Sequence, residues 1–119
     1  MPSKQDHVRK ADENAAFALS LTLDNQTRID WALIILFYSA LHYVEAYLAT
    51  LGQHLKSHRS RDSVVGRDPN LKKIFPEYQD LTFYGYNARY EMYGFTSDDV
   101  TKRAAKEFAA VKTHLKPLL

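Results

Sequence analysis

Tyr38, His42 and Glu45 stand at positions i−4, i and i+3 of one long apolar run. On a helix these three share a face. A polar face inside an apolar run costs free energy unless each group is hydrogen-bonded. The three must therefore meet partners, a cleft or a second subunit. Histidine titrates near neutrality, so His42 is suited to moving a proton. Arg89 is the lone basic residue between Ile74 and Phe95. Its guanidinium can bind a phosphate, or pair with Glu45 across two helices. His54 and His58 are four apart, but a zinc site needs further ligands, and Gly52 sets His54 beyond a helix end. No metal site and no cofactor is assigned. The chain has no His-Glu-x-x-His, no Walker loop, no glycine-rich dinucleotide turn and no Gly-x-Ser-x-Gly elbow. It has no cysteine, which excludes disulfides, thiolate metal sites and cysteine nucleophiles.

Charge and aromatic residues are unevenly placed. Residues 54–73 carry Lys56, Arg59, Arg61, Arg67, Lys72 and Lys73 against Asp62 and Asp68, a local +4, although the whole chain is only +2. An aromatic stretch follows, with Phe75, Tyr78, Phe83, Tyr84, Tyr86, Tyr90, Tyr93 and Phe95. A basic segment beside an aromatic one can hold nucleic acid by phosphate contact and base stacking. The same residues can equally serve as a solvated loop and a packed core.

The elements that must position these residues all read as helices. Val8, Ala11, Ala15 and Ala18 recur at helical spacing within a first helix over about Asp6–Leu21. Leu23-Asp24-Asn25 supplies a turn and a cap. A second helix runs to about Leu51 and ends at Gly52. From Trp31 to Ala49 it is apolar nearly all round, which suits the centre of a bundle. His42 and Glu45 in its middle, and Arg28 and Asp30 before it, oppose a membrane span. A short helix is predicted over Ser57–Val65, stopped by Gly66, then a turn at Leu71, Ile74 and Phe75. Pro76 opens a helix to about Tyr93, ended by Gly94, with Tyr78, Leu81, Gly85, Ala88 and Met92 on its apolar stripe. Thr96 and Asp99 form a capping-box pair for a last helix, in which Val100, Ala104, Phe108, Val111 and Leu115 share a face. No hairpin signal is present. The expected fold is all-α: one domain over residues 1–119, an up-and-down bundle of four to five helices around a long apolar central one. A chain of 119 residues can bury roughly two-thirds of its unfolded surface. With no cysteine and no apolar segment after a basic start, a cytoplasmic location is expected.

The order of these features resembles the HEPN domain (higher eukaryotes and prokaryotes nucleotide-binding). The family's central helix often reads like Tyr-Tyr-Ala-Ala-Phe-His-Ala-Ala-Lys-Ala-Leu-Leu, matched here by Phe37-Tyr38-Ser39-Ala40-Leu41-His42-Tyr43-Val44-Glu45-Ala46-Tyr47-Leu48. A glycine and a Thr-His-Ser step commonly follow, as Gly52 and Ser57-His58-Arg59 do here. Its Arg-x-x-Ala-Asp-Tyr is similar to Gly85-Tyr86-Asn87-Ala88-Arg89-Tyr90. The resemblance covers about residues 28–119. Gly85 stands where the family has arginine and Arg89 where it has aspartate. No arginine here is followed, after four to six residues, by the histidine of the family's ribonuclease members.

The resemblance implies a homodimer that binds nucleotide, RNA or a cognate protein partner, in a toxin–antitoxin or defence setting. The binding residues expected are Tyr38, His42, Glu45, His58, Arg59, Arg61, Arg89 and Tyr90. If the domain is an enzyme, a metal-independent ribonuclease is implied, rebuilt from His42, His58 and Arg89. A purely structural interaction module is the remaining reading.

Overall fold

The computed structural model describes residues 2–119. It contains five α-helices: α1 (Lys4–Ser20), α2 (Gln26–Thr50), α3 (His58–Val65), α4 (Phe75–Tyr90) and α5 (Ala105–Leu115). Short 3-10 turns cover Leu71–Ile74 and Lys116–Leu118, and a π-helical segment, Asp99–Ala104, runs directly into α5. No strand occurs among the described residues. The fold is the expected all-α bundle.

Local chemistry sets most of the boundaries. Ser3 Oγ accepts from the Asp6 N–H at 3.1 Å and an Asp6 carboxylate oxygen accepts from the Ser3 N–H at 3.0 Å. This capping box starts α1 at Lys4, earlier than the Asp6 start predicted. Asn25 caps α2 by accepting from the Arg28 N–H. At its far end Gly52 adopts φ 71°, and the Gln53 and Gly52 N–H groups close on Leu48 and Ala49 carbonyls, a Schellman ending. Ser57 caps α3, and Thr96 and Asp99 cap the last helix reciprocally.

α2 is the axis of the core. Ala32, Leu33, Leu36, Phe37, Ala40, Tyr43, Val44 and Leu48 on it are fully buried. α1 covers one side with Ala11, Ala15 and Ala18, α4 another with Tyr78 and Leu81, and the last helix a third with Val100, Ala104, Phe108, Val111 and Leu115. By length and hydropathy α2 could cross a membrane, yet 78% of its most apolar window is buried in the protein. Gly85 lets α4 approach α2 closely: a Cβ there would sit 2.7 Å from Phe37 Cδ2. Polar ties cross the bundle too. The Tyr43 hydroxyl donates to Asp12 at 2.6 Å, and Lys112 donates to the same carboxylate at 3.0 Å. Near the chain ends, the Lys4 ammonium donates to the Leu119 carbonyl at 3.1 Å.

Two expectations need correction. α4 stops at Tyr90 rather than Tyr93, with Glu91 extended, so Met92 leaves the apolar stripe and is fully exposed. The chain must turn back at Gly94 (φ 75°) to bury Phe95 against Tyr84, and a continued helix would forbid that. The last helix also opens with a wider π turn, in which the Ala105 N–H reaches the Val100 carbonyl.

Candidate functional site

Glu45 is buried on α2, and its partner is Arg61 of α3: Arg61 Nε donates to Glu45 Oε1 at 2.5 Å. Of the two roles open to Arg89, pairing with Glu45 is therefore not the one taken. Ser57 starts α3 soon after the Gly52 turn, and one turn into α3 Arg61 reaches back to Glu45 on α2. The guanidinium also meets His58 Nδ1 at 3.2 Å and the Leu55 carbonyl at 3.5 Å. Both charges of the pair are buried, so each depends on the other.

Arg89, near the end of α4, donates instead to the Tyr38 hydroxyl. Its guanidinium lies 5.6 Å from the Phe37 ring centroid, 5.3 Å from that of Tyr38 and 5.1 Å from that of Tyr90. This is a cation–π nest closed by an exposed tyrosine. The buried Arg89 Nε has no hydrogen-bond partner among the described residues.

His42 pairs with a residue that sequence reasoning missed. His7 of α1 places Nδ1 3.0 Å from His42 Nδ1, with ring centroids 5.3 Å apart. The signal was present: His7, Ala11, Ala15 and Ala18 are the buried residues of α1 and keep a spacing of four, four and three. Counting the half-buried Val8 into that stripe hid it. Burial holds both imidazoles below their ordinary value of 6.5, and for His42 the neighbouring His7 and Lys10 add to the effect while Glu45 opposes it. His58 is lowered as well, by burial and then by Arg61 and Arg89.

Three hollows meet at His42 and form one open groove. One of about 270 Å³ lies over Glu45, Arg61, His54 and Lys56. A second of about 380 Å³ runs along α1 past Asp6, Arg9, Lys10 and Glu13. A third of about 490 Å³ follows Lys10, Phe17, Trp31, Ile35 and Tyr38. The groove thus has a floor of imidazoles and a buried ion pair, lysines at its rim, and an aromatic end.

Of the predicted site residues, Tyr38, His42, Glu45 and Arg61 line this groove, whereas His58, Arg89 and Tyr90 line none of its hollows: His58 stands behind Arg61, and Arg89 lies against Tyr38 and Tyr90. The fold leaves Arg59 out: that side chain is exposed and has no hydrogen bond or ion pair among the described residues. The basic segment does not act as a unit either. His54, Lys56 and Arg61 reach the groove, while Arg67 donates to the Ser63 carbonyl and Lys72 and Lys73 sit exposed on the 3-10 turn. The aromatic stretch divides: Tyr78, Tyr84 and Phe95 are core, whereas Phe83, Tyr86, Tyr90 and Tyr93 are exposed. No group of three or more His, Asp or Glu side chains gathers as a metal cluster among the described residues. A separate hollow of about 500 Å³, lined by Asp80, Phe83, Tyr93 and Arg103, shares no lining residue with the groove.

Comparison with protein-family models, curated proteins and solved structures gives no match to this chain.

Proposed function

We propose that this domain binds a nucleotide or an RNA segment in the groove that meets at His42, and that it does so as a homodimer. The observation that carries the reading is the His7–His42 pair on the floor of an open groove rimmed by Lys10 and Lys56. Such a rim attracts phosphate, and imidazole N–H groups can donate to it. Tyr38, at the other end of the groove, offers a ring face for a base. The HEPN resemblance supports the same ligand class and adds the expectation of a cognate protein partner in a toxin–antitoxin or defence setting. A homodimer is supported by Phe17 and Trp31, both more than half exposed on the face shared by α1 and α2.

The test is thermal melting of the purified protein with a panel of nucleotides and short RNAs. A melting shift that disappears in Lys56→Ala and His42→Ala is the expected result. No shift with any member of the panel rejects the reading and leaves a protein-interaction module.

A ribonuclease is the second reading, favoured by two histidines in contact. One imidazole would take the 2′-hydroxyl proton and the other would protonate the departing 5′ oxygen. Recovery of cut RNA from the same samples distinguishes the two.

A further inference from the structure

The two imidazoles touch through like atoms, Nδ1 to Nδ1 at 3.0 Å. A hydrogen bond between them requires one Nδ1 to carry the proton and the other to accept it. A neutral imidazole carries one proton only. The ring that donates at Nδ1 therefore has a bare Nε2, and the ring that accepts has an Nε2–H. Neither Nε2 has a protein partner among the described residues. The neutral pair thus offers one donor and one lone pair.

An anion finds little else on the groove floor. Arg61 is the strongest cation there, but Glu45 offsets its charge at 2.5 Å, and His58 and the Leu55 carbonyl each take one N–H of its two terminal nitrogens. The other charged groups facing the pair are Asp6, Arg9, Lys10 and Glu13 of α1, Glu45 of α2, and His54 and Lys56 of the α2–α3 connection. Lysines at the rim attract a phosphate but do not supply a donor on the floor. A phosphate oxygen set against the bare Nε2 meets lone pair with lone pair.

We propose that a phosphate group enters the groove together with one proton, taken up by the His7–His42 pair. The added proton goes to the bare Nε2. Both Nε2 atoms then donate, the Nδ1 contact is kept, and the pair carries one positive charge opposite the anion. This rests on the nucleotide-binding reading above and specifies how that site recognises phosphate.

The test is titration calorimetry with the dinucleoside phosphate ApA, whose phosphodiester keeps one charge across the pH range used. Titrations at pH about 7.5 in two buffers of different ionisation enthalpy should differ in heat by the uptake of about one proton per ApA bound. Affinity should fall about tenfold per pH unit above neutrality. The double variant His7→Gln/His42→Gln, checked for folding by melting, should take up no proton and lose that pH dependence. Should the variant not fold, the wild-type titrations decide alone. Binding with equal heats in the two buffers overturns the inference and leaves the proposed function standing. Binding of adenosine as tightly as ApA overturns it too, because phosphate is then not the group recognised. No binding of ApA at any pH between about 5.5 and 8 overturns both.

Discussion

Glu45 and Arg61 are the two buried charges of the site, and each is tolerable only because of the other. Arg61→Ala strands a carboxylate and should cost about 3–5 kcal/mol. The double change Glu45→Leu/Arg61→Met removes both charges and should cost less than either single change. Urea unfolding of Glu45→Leu, Arg61→Met and the double variant checks this. A double variant as unstable as the sum of the singles would refute the coupling. Tyr38, His42, Glu45 and Arg89 were legible because each is polar within a segment whose spacing marks it as packed. Their partners were not. Arg61 lies sixteen residues beyond Glu45, past a turn, and His7 lies thirty-five residues before His42. Periodicity puts a side chain on a face of its own helix and says nothing of what stands opposite. Arg59 stays outside the groove for the same reason: two residues before Arg61, it points elsewhere on the helix.

Helix packing makes two measurable demands. Gly85→Ala places a methyl group 2.7 Å from Phe37 Cδ2, and two packed helices must part to admit it. A loss of about 1–3 kcal/mol in chemical denaturation is expected, reduced when Phe37→Leu is added to make room. Between α4 and α5, burial and then the hydrogen bond that protonated Glu107 donates to Asp80 push Glu107 up to about 8, from an ordinary 4.5. The folded state holds this proton more tightly than the unfolded one. The contribution of Glu107 to stability is therefore fully present below pH about 4.5 and lost as pH rises towards 8. Glu107→Gln cannot ionise, so its stability relative to wild type should improve steadily between about pH 5 and pH 8.5 in urea titrations. A pH-independent difference would reject the assignment. The starts of α2 and the last helix were legible because the Asn25 and Thr96 caps act within one turn of chain, whereas the Ser3 cap of α1 was missed. The end of α4 was not, because the burial of Phe95 decides it from outside the helix.

At the scale of the whole molecule, the α1–α2 face with Phe17 and Trp31 is where the proposed second copy would sit. Trp31→Glu should convert a dimer to a monomer in sedimentation equilibrium while leaving the melting of the monomer nearly unchanged. A wild-type chain that remains monomeric at every concentration measured would remove the dimer. The bundle class itself was readable from the pattern of helices and the lack of strand signals, and α2 as its axis from being apolar on every side. The Lys4–Leu119 contact has a further consequence. A chain that enters and leaves its fold at one corner can be spliced into a surface loop of another protein without stretching either. By the same geometry its own two ends can be joined by a short linker and new ones opened at the exposed segment around Glu91–Met92, so that the order of helices along the chain changes while their arrangement in space does not.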